Sequence, residues 1–242
     1  MIGRRVHSFL ICVTAIAAFV ILPAAASAHA PKHKVGRGTS TNWSGYAVDG
    51  TAGTHVIGTW TQPAVVSCSA RESSWASPWV GIDGSNSNTV EQIGTDTDCS
   101  NGTPFYYAWY EMYPKPLNVI SSVPVVPTHS YTAEVTNSAP GAFLLQLKDN
   151  DTGATFSVTQ SSKKAKRTSV EWVMEGPSSG LLTNFGTVNF TSAVATIGGQ
   201  TRSVADFGAA ADPITMVTSQ GTPRATPFNL SGGSFGVNWQ HG

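Results

Sequence analysis

Four short stretches hold the side chains best suited to chemistry: Trp79-Val80-Gly81-Ile82-Asp83-Gly84, Val90-Glu91-Gln92-Ile93-Gly94-Thr95-Asp96, Trp109-Tyr110-Glu111-Met112-Tyr113-Pro114 and Glu171-Trp172-Val173-Met174-Glu175. With the two-residue period of a β-strand, one face of the first carries Trp79, Gly81 and Asp83, and one face of the second carries Gln92, Gly94 and Asp96. The third presents Trp109, Glu111 and Tyr113 together, and the fourth both of its Glu residues. Carboxylates, an amide and aromatic rings on one face suit a concave surface that binds something polar. A plain solvated sheet face accounts for the carboxylates but not for the aromatic rings among them. In such a cleft an ionised carboxylate is a general base and a protonated one a general acid. An uncharged amide NH₂ is a hydrogen-bond donor at any pH. Glu171 and Glu175 lie four residues apart, so their Cα atoms are roughly 13 Å apart on one strand. Two such Glu residues are compatible with a glycosidase pair. Jelly-roll glucanases, however, place an Asp between the two, where this chain has Val173.

Three motifs do not bear the chemistry they resemble. Gly232-Gly233-Ser234-Phe235-Gly236 matches the G-x-S-x-G elbow, but no acid follows it and only His241 does. Asp151-Thr152-Gly153 matches half of an aspartic-protease site and has no second copy; a hairpin turn explains it. His33, His55, His129 and His241 are scattered without metal-ligand spacing, so neither a catalytic metal nor another cofactor is expected.

The elements that must position these residues are strands. Tyr131–Thr136, Ala142–Lys148, Thr155–Thr159, Ser169–Glu175 and Thr187–Ile197 alternate between turn residues, and Asp149-Asn150-Asp151-Thr152-Gly153 reads as a hairpin turn. No segment reads as a helix of three turns. The expected class is all-β, a two-sheet sandwich or jelly roll in one domain spanning 42–242. The run Lys163-Lys164-Ala165-Lys166-Arg167 reads as a solvated loop.

Composition narrows the function. The 242 residues carry 14 basic and 14 acidic groups, and charged residues are 12% of the chain, about half the usual share. Nucleic acid is therefore not expected as a partner, since phosphate binding needs clustered Lys and Arg. A chain of this length with 10% aromatics can bury a full core, which argues against intrinsic disorder, and one rich in Ser, Thr, Val and Gly is not a coiled coil.

Residues 1–30 read as a secretory signal peptide. Arg4 and Arg5 precede an apolar run from Phe9 to Leu22, and Ala26-Ser27-Ala28 and Ala28-His29-Ala30 each offer a small-residue cleavage site. No later stretch reaches the ~20 apolar residues of a membrane anchor, so a secreted protein with no membrane association after processing is expected. Residues 31–41 form a short basic leader in which Lys32, His33, Lys34 and Arg37 complement an acidic cleft. Removing residues 1–30 takes away Arg4 and Arg5 and no acid, leaving 12 basic against 14 acidic groups. Two cysteines, Cys68 and Cys99, remain as either a disulfide or two buried thiols; export favours the bond, with a chain-entropy contribution of roughly 3–4 kcal/mol.

The same stretches, in order, resemble the glutamic peptidases (eqolisins), secreted acid endopeptidases first known from fungi. The matching segments are Asn42-Trp43-Ser44-Gly45-Tyr46, WVGIDG at 79–84, QIGTD at 92–96, YAWYEMYP at 107–114 and VEWVMEGP at 170–177, with a looser match near Phe185–Phe190. The resemblance implies a jelly-roll (concanavalin A-like) sandwich of two seven-stranded antiparallel sheets. It also implies a Gln/Glu catalytic dyad at Gln92 and Glu175, a choice between Glu175 and Glu171 that the residue pattern does not make. Trp79, Asp83, Asp96, Trp109, Glu111 and Tyr113 match cleft and supporting positions. The implied protein is a monomeric, secreted, pepstatin-insensitive hydrolase of polypeptides, and the compact domain and short leader fit a bacterial member. Fungal members carry a substantial propeptide; the leader here is far shorter. The alternative is a jelly-roll protein that binds or cleaves carbohydrate with the same cleft, for which Gln92 and its Q-x-G-x-D context have no use.

Overall fold

The computed structural model describes residues 29–32, 34–36 and 38–242. The expected signal peptide thus lies, up to residue 28, outside the described residues, as do His33 and Arg37 of the leader. The main strands are β1 (Trp43–Asp49), β2 (His55–Thr61), β3 (Ser77–Ile82), β4 (Val90–Thr95), β5 (Ala108–Tyr113), β6 (Asn118–Ile120), β7 (Ser130–Ala139), β8 (Ala142–Asp149), β9 (Thr155–Ser161), β10 (Ser169–Glu175), β11 (Thr187–Ile197), β12 (Ala211–Val217), β13 (Pro223–Ser231) and β14 (Ser234–Trp239). Each strand foreseen in the sequence is present, and the 149–153 turn joins β8 to β9. The helical content of the described residues is one short 3₁₀ segment, Val204–Ala210.

Two antiparallel sheets result. One, the site sheet, runs β6-β5-β4-β3-β10-β1-β12. The other runs β9-β8-β7-β2-β11-β14-β13. β12 crosses between them: Ala211–Ile214 pair with β1, whereas Thr215 and Met216 lie beside Thr39–Ser40 and Met216 and Val217 beside β13. A strand that switches sheets makes the corner of a sandwich.

The burial patterns explain which sheet carries the site. In the second sheet β2, β7 and β8 alternate buried and partly exposed positions over most of their length, the signature of one solvated face. In β3, β4 and β10 every residue is buried. One face of these strands packs on the inter-sheet core, with Val80, Ile82, Ile93, Val170, Trp172 and Met174 against Val56, Phe143, Leu145 and Phe190. Two indoles tie the layers by hydrogen bonds across the core: Trp172 Nε1 donates to the Ile57 carbonyl at 2.7 Å and Trp60 Nε1 to Thr95 Oγ1 at 3.0 Å. The other face of the site sheet has its own aromatic layer of Trp43, Trp79 and Trp109 with Ala47, Val90, Val173 and Ile214. Cys68 and Cys99 form a disulfide, Cα–Cα 5.4 Å, across a loop beside this sheet.

Candidate active site

Strand register sorts the functional side chains into cross-strand rows on the face of the site sheet that carries Trp43, Trp79 and Trp109. One row reads Glu111, Gln92, Gly81, Glu171, Ala47, Asp212 across β5, β4, β3, β10, β1 and β12. The next reads Trp109, Gly94, Trp79, Val173, Gly45, Ile214. In the third, Glu175 lies between Ser77 and Trp43, with Asp96 just past the end of β4. The four motif stretches therefore converge on one surface, with Gln92 and Glu175 on either side of the Trp79 row.

Trp79 is accommodated by two glycines. A Cβ on Gly81 would stand 2.9 Å from Trp79 Cζ3 and 3.2 Å from Gln92 Cβ, and one on Gly94 would stand 2.5 Å from Trp79 Cβ. The glycines of WVGIDG and QIGTD thus leave room for a large indole lying flat on the sheet. That indole points its N–H at Glu175: Nε1 to Oε2 is 2.9 Å.

The two glutamates of β10 have opposite surroundings. Glu175 accepts from Trp79 Nε1, from Asn42 Nδ2 at 3.1 Å and from the Ala30 backbone N–H at 2.9 Å. Burial raises its pKa, and His29 and these donors partly offset the rise. Glu171 is as deeply buried, yet beyond the nearby Ser169 hydroxyl it has no comparable set of donors. Burial holds it well above the ordinary carboxylate range. Donors that solvate a negative charge are gathered at Glu175 and not at Glu171.

Gln92 donates from Nε2 to Glu111 Oε2 at 2.8 Å, and its Oε1 is unpartnered. Burial pushes Glu111 up to about 7, against the nearby positive charge of His29. Trp109 donates to Ser77 Oγ at 3.0 Å, and Ser77 in turn donates to the Thr95 carbonyl. Tyr113 is half-buried at the far end, where it lines a cavity of about 500 Å³ with Pro31, Lys32, Lys34 and residues 84–88.

Asp83 stands apart from the dyad positions and organises a loop. Its φ of +73° turns the strand end, and its carboxylate accepts from the backbone N–H groups of Lys166, Arg167 and Thr168 at 2.7–2.9 Å. The basic run is a loop, as its composition implies, but its backbone is fastened to the motif aspartate. Asp98, in contrast, is buried beside Asp96 and its pKa is raised well above the usual range, first by burial and then by that neighbour.

Three contributors lay outside the sequence-level site. Asn42 opens the NWSGY segment, and its amide reaches Glu175. Arg224, buried, donates to the carbonyls of Pro177 and Gly180 at 2.8 and 2.9 Å and so fixes the turn that follows Glu175. His29 stacks on Trp109 with ring centroids 3.8 Å apart, Nε2 3.4 Å from Asp96 Oδ2 and Nδ1 3.6 Å from Glu175 Oε2. Strand periodicity gives no sign of these: one precedes the first strand, one lies in a distant strand, and one falls within the expected signal peptide.

Among the described residues, His129, Asp149 and Asp151 have metal-like spacing, their ligand atoms within 4.8 Å of one another. Asp149 and Asp151 sit at the β8–β9 turn of the second sheet and His129 just before β7, and their atoms are already engaged by one another and by the backbone N–H groups of Ser130, Asp151 and Thr152.

Comparison with known proteins agrees with this fold. The chain is 31% identical over 194 residues to Aspergillopepsin-2 of Aspergillus niger, covering 69% of this chain and 68% of that one. The structure of aspergilloglutamic peptidase from Aspergillus niger superposes with a TM-score of 0.60 at 28% identity, over 69% of this chain and 99% of that one. Scytalido-glutamic peptidase with a transition state analog inhibitor shares the fold, with a TM-score of 0.70 at 24% identity over 83% of this chain and 98% of that one. The model of the peptidase A4 family matches residues 41–239, and the chain belongs to that peptidase family.

Proposed function

We propose that this peptidase is a secreted acid endopeptidase that hydrolyses peptide bonds in polypeptides with a Gln92/Glu175 dyad. The observation that carries the reading is a peptide N–H already seated on Glu175: the Ala30 amide nitrogen lies 2.9 Å from Oε1. A scissile amide in that place has its leaving nitrogen within proton-transfer reach of the carboxyl group.

The chemistry follows. Ionised Glu175, held by Trp79 and Asn42, takes a proton from water, and the hydroxide adds to the scissile carbonyl carbon. The oxygen becomes an oxyanion and accepts a hydrogen bond from the Gln92 NH₂. The protonated Glu175 then gives its proton to the amide nitrogen as the C–N bond breaks, leaving a carboxylic acid and an amine. The scheme uses no Ser or Asp nucleophile and no metal, which accords with insensitivity to pepstatin.

Acid pH has a defined role at Glu111. Below about 7 its carboxyl is protonated and offers an O–H donor. A half-turn of the Gln92 amide then sets the unpartnered Oε1 against that donor and frees the NH₂ for the oxyanion. Above that pH the carboxylate retains the NH₂ for itself. Gln92 thus donates to substrate only when Glu111 is neutral.

The test is Gln92→Ala, assayed on an acid-denatured protein with pepstatin present. Loss of one oxyanion donor lowers kcat about 10²–10³-fold with KM nearly unchanged. Full activity in this variant contradicts the dyad.

A further inference from the structure

Charges are sparse in this chain, and its cations are placed unevenly. Lys115, Lys163, Lys164, Lys166 and Arg167 gather beside the Tyr113 end of the site sheet, where Lys115 Nζ donates to the Ser161 carbonyl at 3.4 Å. Lys163, Lys164 and Lys166 line a cavity of about 660 Å³ with Pro114 and residues 86–89. All three lysines are exposed, and none has an ion-pair partner among the described residues. The cavity shares Asn86, Ser87 and Asn88 with the one of about 500 Å³ beside Tyr113, and among the described residues no carboxylate lines either.

Asp83 holds both walls in place. Its carboxylate accepts from the backbone N–H groups of Lys166, Arg167 and Thr168 on one side and from Thr89 Oγ1 at 3.3 Å on the other. Thr168 Oγ1 also donates to Asn86 Oδ1, which leaves the Asn86 NH₂ available as a donor. The two acids packed beneath the run, Asp83 and Glu91, are fully buried and bring no charge to the cavity surface.

Strand register supplies the distance. Ser169, two residues past the run, and Glu175 are the ends of β10, roughly 20 Å apart. The backbone supplies the direction. From the Ala30 amide that meets Glu175, the chain passes Lys32, whose N–H donates to the Gly84 carbonyl at 3.0 Å, and reaches Lys34 at the smaller cavity. An extended polypeptide on that path arrives at the basic cavity about five to seven residues after the cleaved bond.

We propose that this cavity is a distal subsite for carboxylate side chains, so that the peptidase favours polypeptides with acidic residues about five to seven positions after the scissile bond. The inference rests on the proposed peptidase reading for the cleavage that it biases, but the anion site itself does not. Each exposed ion pair is worth up to about fivefold in affinity, so the selectivity needs several at once and weakens with salt. Substrate Glu side chains ionise near pH ~4.3; the groups facing them are Lys163, Lys164 and Lys166 from the loop and Lys115 from the end of β5.

The test uses the full processed chain and two peptides that share one cleaved core and carry three Glu or three Gln at the fifth to seventh positions after the scissile bond. At pH 5 and low salt, kcat/KM for the Glu peptide is expected to exceed that for the Gln peptide about tenfold, mainly through KM. The ratio falls toward one at pH 3, in about 0.5 M salt and in Lys163→Gln/Lys164→Gln/Lys166→Gln. Lys148→Gln, exposed on β8, keeps it. The ratio is taken within one protein, so partial unfolding of a variant does not alter it. Equal kcat/KM for the two peptides at pH 5, or a ratio that the triple variant retains, overturns the inference and leaves the peptidase reading intact. If neither peptide is cleaved, fluorescence anisotropy decides: tighter binding of the Glu peptide, lost in the triple variant, keeps the anion site and removes the peptidase reading, and equal binding overturns both.

Discussion

Trp79 Nε1 donates to Glu175 Oε2 at 2.9 Å, while the far edge of the same indole lies over Gly81 beside Gln92. One side chain thus sets the spacing of the two residues assigned to the chemistry and supplies a donor that keeps the glutamate ionisable. Trp79→Phe keeps most of the ring and removes the N–H. A hydrogen bond to a charged group is worth about 1.5–3 kcal/mol, so kcat/KM falls about 10- to 100-fold and the acidic limb of the pH profile moves upward as Glu175 becomes harder to ionise. An unshifted limb contradicts the assignment.

In the proposed scheme Glu111 sets the alkaline limit. Glu111→Gln removes the group that ionises near 7, so activity persists to higher pH than in the parent, whereas Glu111→Ala leaves Gln92 unsupported and lowers kcat about tenfold or more across the whole range. Initial rates from pH 2 to 8 for the three chains decide this. Identical profiles for the parent and the Gln variant refute the role.

Stability has a predicted sign with pH. Burial raises Glu91 to about 8 and Glu111 to about 7, and Glu171 and Asp98 well above their usual range. Between roughly pH 4.5 and 8 the folded chain therefore binds more protons than the unfolded one, and stability falls as pH rises. It is fully present below the unfolded carboxylate values and is lost toward neutrality. Thermal unfolding is expected to show Tm roughly 10 °C lower at pH 8 than at pH 4. Glu91→Gln, which neutralises a buried carboxyl outside the dyad, flattens the slope.

The Cys68–Cys99 bond closes a loop of 31 residues, for which the chain-entropy model gives about 3–4 kcal/mol. Replacing both cysteines by Ser lowers the free energy of unfolding in urea by about that amount, with the fold retained. A change below about 1 kcal/mol means the loop is already ordered in the unfolded ensemble.

The strands were legible because sandwich strands alternate, and the site face was legible because Trp79, Gln92, Trp109 and Glu175 share one parity. Parity could not separate Glu175 from Glu171, which fall on the same face of the same strand. The distinction lies in donors from Trp79, Asn42 and the Ala30 backbone, which come together only through register and tertiary packing. Asp83 was visible as a motif residue, but its partners are backbone N–H groups of a basic loop, and backbone donors leave no mark on residue type. His29 was hidden for a different reason, being composed into a segment that reads as a secretion signal.

The measurement closest to the central claim is cleavage of an acid-denatured protein by Glu175→Gln and Glu171→Gln side by side, from pH 2 to 7 with pepstatin present. The predicted result is that Glu175→Gln is inactive at every pH while Glu171→Gln, correctly folded, keeps at least a tenth of the parent rate. Retained cleavage by Glu175→Gln, or loss confined to Glu171→Gln, would contradict the account.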